Sequence, residues 1–141
     1  MKVISSRILI DTSVLIDLLR GNISDSIWLK TLEGRAPSVS PITVHELRRG
    51  VAPNSKWEQQ IDQLLPRESI LTAPPITEDW IEAADVIRIY FGKSRSKIEL
   101  AALAHDVLIG LTARAMKAEL WSRDKDFKVI CAAVKISLLD H

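Results

Sequence analysis

Short apolar runs alternate with longer amphipathic segments along this chain. Residues 7–10 are mostly aliphatic on both faces of an extended chain, and Asp11 ends the run. A run of this kind is typical of a buried strand in a parallel sheet. Residues 77–91 instead repeat apolar side chains at helical spacing, with Trp80 and Ile87 on one stripe. The pattern therefore predicts strands that are separated by helices.

The predicted elements continue this alternation along the chain. Strands are predicted over residues 7–10, 38–40, 70–71, 120–122 and 135–139. Helices are predicted from a cap at Thr12 or Ser13 to Arg20, and over residues 24–32, 43–50, 56–65, 77–91, 98–104 and 106–119. Strands that alternate with helices indicate an α/β fold, in which helices cover both faces of a parallel sheet.

Composition and charge limit the class of protein. The chain has 141 residues, of which 47% are hydrophobic and 26% charged, as in a soluble protein with a single domain over residues 1–141. The net charge of +1 provides no global basic field, although a local patch or a bound metal can still attract phosphates. Cys131 is the only cysteine, and its apolar neighbours predict a buried thiol. Without a signal peptide or a run of about 20 apolar residues, we expect a cytoplasmic protein with no membrane segment.

Four acidic residues stand where a strand ends or a helix begins: Asp11, Glu46, Asp106 and Asp124. Active sites of open α/β sheets lie beyond the carboxyl ends of the strands. A helix from Asp106 advances about 20 Å, and the next strand returns about 13 Å. Asp124 therefore comes back toward the level of Asp106. Glu46, at the start of the helix after the second strand, is expected at the same edge.

Each of these acids also has an explanation that needs no function. Glu46 completes a capping box, and Asp106 favours the positive end of a helix dipole. Asp124 and Asp126 are common turn residues, and Asp11 stands at a helix start. These explanations are independent of one another, whereas one metal site explains all four acids together.

A divalent cation would remove the repulsion between clustered carboxylates. Without it, like charges raise carboxylate pKa values. Ligands that are all oxygens favour Mg²⁺ or Mn²⁺ over zinc. His45 and His105 adjoin two of the acids, but adjacent side chains on a helix point about 100° apart. We therefore expect neither histidine to be a ligand.

Four segments of the sequence carry a resemblance to a known family. They read DTSVLID over 11–17, TVHEL over 43–47 with Gly50 after it, HDVLIGLTA over 105–113, and SRDKDF over 122–127. In this order and spacing the chain resembles PIN domains, in particular the VapC-type toxin ribonucleases of toxin–antitoxin pairs, over almost its full length. The resemblance implies a PIN-like three-layer α/β/α fold with a central, mainly parallel sheet.

The resemblance also implies an activity and a site. It implies an endoribonuclease that uses Mg²⁺ or Mn²⁺ to hydrolyse RNA, acts as a homodimer and is inhibited by a small antitoxin protein. The residues on the family's acidic positions are Asp11, Glu46, Asp106 and Asp124, with Asp11, Asp106 and Asp124 as metal ligands. The supporting residues are Ser13, Ser122 and Asp126, where Asp126 is an alternative to Asp124 as the last ligand. Gly110 departs from the alanine usual at its position.

Basic and aromatic residues offer less specific signals. Arg48 and Arg49 closely follow Glu46 and are candidate RNA contacts, as is the loop that carries Lys93, Arg95 and Lys97. A solvated surface is the alternative for these basic residues. The four tryptophans, which are Trp28, Trp57, Trp80 and Trp121, fit core or interface positions better than base-stacking platforms.

Three other functional classes are compatible with parts of the pattern. A haloacid-dehalogenase phosphatase requires a second aspartate where this chain has Ser13, and a phospho-receiver domain requires paired early acids and a late lysine. A catalytically silent module that binds RNA or a partner on the same fold is the remaining alternative. Uptake of Mg²⁺ at the acidic edge would discriminate the enzyme from that module.

Overall fold

A parallel sheet of four strands lies at the centre of the structure, a computed structural model that describes residues 6–64, 75–92 and 95–140. Its strands are β1 (Ser6–Ile10), β2 (Arg35–Ser38), β3 (Ala118–Trp121) and β4 (Leu138–Leu139). Their order across the sheet is β2-β1-β3-β4, and every neighbouring pair is parallel. The predicted strand at 70–71 and Lys93 lie outside the described residues.

Helices cover both faces of this sheet, so the predicted three-layer α/β/α fold is confirmed. The helices of the described chain are α1 (Thr12–Leu19), α2 (Asp25–Leu32), α3 (Pro41–Arg49), α4 (Lys56–Leu64), α5 (Thr77–Tyr90), α6 (Lys97–Met116) and α7 (Asp126–Val134). The first four contribute to the core on one face, and the last three form the core on the other. No helix of the described part is long and apolar enough to cross a membrane.

The central strand β1 supplies side chains to both cores. Ile8 and Ile10 are buried on the face of α1–α4, whereas Leu9 is buried on the face of α5–α7. The neighbouring strand divides its side chains in the same way, with Leu120 on one face and Trp121 on the other. Successive side chains of a strand point to opposite faces, so an aliphatic run with helices on both sides is buried throughout.

Helix α6 is one continuous helix, and the prediction of two helices over 98–104 and 106–119 is wrong. Ser96 caps it by accepting a hydrogen bond from the Glu99 amide N at 3.2 Å. His105 and Asp106 therefore lie in the middle of a helix. Between them and its ends stand good helix formers such as alanine and leucine, with no proline, so nothing in the sequence interrupts it.

Helix α7 was not predicted, although its sequence carries the helical pattern. Phe127, Ile130, Cys131 and Val134 are buried at spacings of three and four residues. Cys131 is buried, so the prediction of a buried thiol is confirmed, and burial together with the negative charge of Asp11 raises its pKa to about 12. A β-carbon on Gly110 of α6 would lie 3.0 Å from Ile130 Cγ2, so glycine permits close packing of α6 on α7.

Several element boundaries also differ from the prediction. β2 comprises Arg35–Ser38 rather than 38–40, because this segment pairs with β1, and Ser40 instead caps α3. The predicted capping box of Thr43 and Glu46 is therefore wrong. Asp11, rather than Thr12 or Ser13, caps α1. β4 contains only Leu138–Leu139 of the predicted 135–139.

Candidate active site

Asp11 leaves the sheet at its carboxyl edge and is held in one orientation. It follows β1 directly, and its amide N donates to the Trp121 carbonyl O of β3 at 2.9 Å. The carboxylate is buried, and its Oδ2 accepts from Ser13 Oγ at 2.7 Å, Ser122 Oγ at 3.0 Å and the Ser13 amide N at 3.3 Å. The other oxygen, Oδ1, is buried with no hydrogen-bond donor among the described residues. Such an oxygen is costly to bury unless a cation or a water contacts it.

The two serines connect Asp11 to the loop between β3 and α7. We call Asp11, Ser13 and Ser122 the Asp11 network. Besides donating to Asp11, Ser122 Oγ accepts from the Asp124 amide N at 3.1 Å, and Ser13 Oγ accepts from the Arg123 amide N at 3.1 Å. Each serine therefore fixes the backbone of the loop relative to the Asp11 carboxylate.

Three aspartates converge beside this network, and we call Asp106, Asp124 and Asp126 the aspartate trio. One carboxylate oxygen from each lies within 4.8 Å of the others, a separation suited to one metal ion. Asp106 comes from the middle of α6, and the other two come from the loop after β3 and the first turn of α7. Within the trio, Asp124 Oδ1 accepts from the Asp126 amide N at 3.0 Å.

Electrostatics connects the trio with the remaining acids. The pKa of Asp106 is raised from 3.8 to about 8, mainly by burial and in addition by the negative charges of Asp11, Asp124, Glu46 and Asp126. Burial also raises the pKa of Asp11, while the hydrogen bonds from Ser13 and Ser122 act in the opposite direction. All five carboxylates therefore share one local field, and none of them forms an ion pair with a described residue.

Glu46 lies on α3 and is attached to the site through Thr12. Thr12 Oγ1 lies 3.0 Å from Glu46 Oε1, to which it donates, and 3.2 Å from Thr43 Oγ1. Thr12 follows Asp11 directly, so this contact sets Glu46 beside the start of α1. The sequence prediction treated Thr12 only as a capping residue, and the signal missed was a hydroxyl immediately after an acidic strand end.

Comparison with known proteins now identifies the family. A family model described as PIN domain matches residues 8–133. The chain belongs to the PIN domain family. No curated protein sequence matches it significantly.

Several solved structures have the same fold as this chain. The FitAcB structure from Neisseria gonorrhoeae is 24% identical with a TM-score of 0.64, covering 94% of this chain and 96% of that one. VapBC2 from Rickettsia felis, bound to a promoter DNA fragment, is 21% identical with a TM-score of 0.68, covering 96% and 98%. A toxin–antitoxin complex from Klebsiella pneumoniae is 25% identical with a TM-score of 0.54, covering 84% and 88%. The fold of this PIN domain thus matches these chains over most of their length.

The PIN domain places all five acids that the sequence singled out within one electrostatic field, but Asp11 and Glu46 lie outside the group of three whose oxygens are close enough for one ion. Asp106 reaches the site from mid-helix, so its interpretation as a residue at a helix N-terminus is wrong. Asp124 and Asp126 both lie in the aspartate trio, which makes them joint rather than alternative candidates for the last ligand. His45 is exposed, and the cluster found in the described residues contains no histidine.

The candidate RNA contacts are less favourably placed. Arg48 forms ion pairs with Glu58 and Asp62 of α4, so its charge is already partnered, while Arg49 is exposed. Arg95 lies 4.0 Å from Glu99 and stacks over the Phe91 ring at 5.3 Å. These arginines offer no cluster of unpaired cations beside the acidic edge.

The tryptophans of the PIN domain divide into core and surface. Trp121 is fully buried, and its ring centroid lies 5.4 Å from that of Trp28. Trp57 and Trp80 are 48% and 52% exposed. The first pair fits the predicted core role, and the second pair leaves large apolar surfaces available for contacts with another chain.

Proposed function

We propose that this PIN domain is an endoribonuclease that requires Mg²⁺ or Mn²⁺ and hydrolyses RNA phosphodiester bonds. The observation that carries the proposal is the set of five carboxylates at one sheet edge, none paired with a cationic residue of the described chain. Asp11 Oδ1, which is buried without a hydrogen-bond donor among the described residues, likewise needs a positive charge or a water beside it. Divalent cations bound at this edge would offset the negative charge of these carboxylates.

The residues divide into ligands and supporting groups. Asp11, Asp106 and Asp124 would hold the ion, with Asp126 sharing the last position. A bound divalent cation lowers the pKa of a coordinated water and neutralises charge that develops on the phosphate. Glu46 accepts from Thr12 through Oε1, and its Oε2, which has no donor among the described residues, would orient a water at the site. Ser13 and Ser122 would keep Asp11 aligned.

Cleavage of RNA with Mg²⁺ tests this proposal. Wild type should cleave, and Asp11→Asn and Asp106→Asn should each reduce cleavage more than about 100-fold, since even partners of metal ligands contribute 10- to 100-fold. The matched control is Asp85→Asn, which changes an exposed acid paired with Arg88 on α5. Chelation of divalent ions should stop the reaction. Undiminished cleavage by both site variants would sink the proposal.

We further propose that the chain is the cytoplasmic toxin of a toxin–antitoxin pair and acts as a homodimer. The support is the near full-length match to VapBC, FitAcB and toxin–antitoxin structures. Expression of wild type should arrest growth, Asp106→Asn should not, and a small antitoxin encoded beside the gene should relieve the arrest. Arrest that persists in Asp106→Asn would separate toxicity from the acidic site.

One observation favours a catalytically silent binding module instead. With a pKa of about 8, Asp106 is largely protonated at neutral pH, so the acids can coexist there without an ion. Metal titration separates the two functions, because a silent module need not bind Mg²⁺ or Mn²⁺ at this edge. Saturable Mn²⁺ binding that Asp106→Asn abolishes supports the enzyme.

A further inference from the structure

A small polar pocket adjoins the acidic edge on the side of β4. Its volume is about 170 Å³, and it lies between the loop that follows β3 and the end of the described chain. Its charged lining residues are three basic ones, Arg123, Lys125 and Lys128, and two acidic ones, Asp124 and Asp140. Since one water occupies about 30 Å³ in the liquid, the pocket has room for a phosphate group and some of its water.

The pocket shares walls with the candidate active site. Ser122 lines it and also donates to Asp11 Oδ2, and Asp124 lines it and also belongs to the aspartate trio. A group in the pocket therefore lies next to any phosphate at the trio. A single RNA strand that places one phosphate at the trio must place neighbouring phosphates close by.

Two of the three basic side chains have their charge available. Arg123 donates to Asp17 Oδ2 at 3.1 Å and to the Asn22 carbonyl O at 3.3 Å. Lys125 and Lys128 are exposed, and neither forms an ion pair with a residue of the described ranges. By contrast, one of the two acidic walls, Asp124, would be neutralised by the ion of the proposed function.

We propose that this pocket, the lysine pocket, binds an RNA phosphate adjacent to the one that is cleaved. The inference rests on the proposed function and adds a second subsite to it. Contacts to phosphates position a nucleic acid without reading its bases. The lysine pocket should therefore contribute affinity equally for RNAs of different sequence.

The test is equilibrium binding of labelled 12-nucleotide single-stranded RNA over a series of salt concentrations, with Ca²⁺ in place of Mg²⁺. The variant is Lys125→Gln with Lys128→Gln. Its affinity should fall about tenfold for oligouridine and oligoadenosine alike. The slope of log affinity against log salt should become shallower by about 0.7, the value for one lost phosphate contact on a single strand.

A matched control removes the same two positive charges at the opposite edge of the sheet. Lys117 and Lys135 are exposed and unpaired within the described chain, and they end α6 and α7 where the strands begin. Lys117→Gln with Lys135→Gln should leave affinity and slope within about twofold of wild type. Equal losses in both double variants would overturn the inference, as would an unchanged slope in the pocket variant.

Single methylphosphonate linkages then locate the contact. Neutralising one linkage next to the cleaved bond should weaken wild-type binding, and the same substitution should have no further effect in the pocket variant. Additive losses at every linkage would contradict the lysine pocket. Wild type that binds RNA in this way yet never cleaves it would refute only the proposed function, whereas wild type that binds no RNA would overturn the inference.

Discussion

The two halves of the acidic edge are built differently. In the Asp11 network, three hydrogen bonds converge on one carboxylate oxygen, and both serines are further fixed by backbone amides of the next loop. In the aspartate trio, the described residues donate a single hydrogen bond to a carboxylate, from the Asp126 amide N to Asp124 Oδ1. The network is therefore ordered before any ligand arrives, whereas the trio has, within the described chain, only the Asp124–Asp126 hydrogen bond and the contact of the Asp124 amide with Ser122 Oγ to order its loop.

This difference assigns separate tasks to the two halves. Hydrogen bonds from Ser13 and Ser122 favour the charged form of Asp11 and oppose the effect of burial on its pKa. The described residues donate no hydrogen bond to the Asp106 carboxylate, and its pKa is raised to about 8. The Asp11 network orients the Asp11 carboxylate, whereas the clustered carboxylates of the aspartate trio favour the binding of a cation.

The largest expected effect is a loss of stability with rising pH in the absence of metal. Asp106 keeps its proton in the folded protein up to a pKa of about 8, against 3.8 for its ordinary value. Its contribution is fully present below pH 3.8 and is lost as pH rises through 8. We expect urea unfolding in a chelator to show a fall of a few kcal/mol between pH 5 and 8.5.

Asp106→Asn should remove most of that pH dependence, because its amide does not titrate. The matched control Asp85→Asn should retain it. Asp11 also has a raised pKa, so a smaller residual fall is expected in the Asp106 variant. A wild-type protein that is equally stable at pH 5 and 8.5 would show that the pKa of Asp106 is not raised in the folded protein.

The second effect is stabilisation by a divalent cation. At a concentration 100 times its Kd, Mg²⁺ or Mn²⁺ should raise the free energy of unfolding by about 2.7 kcal/mol. At one fixed ion concentration the gain should be larger at pH 8 than at pH 5, because binding must displace the Asp106 proton and the Kd is therefore higher at pH 5. Thermal unfolding with and without the ion measures it. An identical gain in Asp106→Asn would place the ion elsewhere.

The central strand and the sheet edge that carries the acids could be predicted from local sequence, whereas the strand boundaries and the continuity of α6 could not. The aliphatic run before Asp11 indicates a buried central strand, because helices cover it on both faces. The polar pair His105 and Asp106 resembles a helix boundary in sequence. In the structure, packing of α6 against α5 and α7 keeps the helix continuous through that pair.

The position of Asp106 could be predicted although its helix was misjudged. From Asp106 to the end of α6 at Met116 the chain descends about 15 Å, and β3 then rises about 13 Å. Asp124 therefore returns to the level of Asp106 whichever residue begins the helix. The roles of Thr12 and Arg123 could not be predicted, because their partners lie 34 and 106 residues away in sequence.

The third effect is on the Asp11 network. Ser122→Ala removes a donor to Asp11 Oδ2 and an acceptor for the Asp124 amide, so it weakens both halves of the site together. We expect cleavage and Mn²⁺ affinity to fall about 10- to 100-fold, as for other partners of metal ligands. Ser26→Ala, on an exposed position of α2, is the matched control. A loss of cleavage without any change in Mn²⁺ affinity would contradict the link between the two halves.

The smallest effect concerns the ion pair that ties the loop after β3 to α1. Asp17→Asn removes the charged partner of Arg123, and because both side chains are partly exposed, the free energy of unfolding should change by about 0–1 kcal/mol. The Arg123 amide still donates to Ser13 Oγ, so the loop keeps its backbone anchor. We therefore expect kcat to fall only a few-fold, together with Mn²⁺ affinity, while KM for RNA stays constant.

The control is Asp85→Asn, which breaks a comparable exposed pair on α5 and should leave kcat, KM and Mn²⁺ affinity unchanged. If Asp17→Asn raised KM and left Mn²⁺ affinity intact, the ion pair would serve RNA binding, and the trio would be held by the backbone without it.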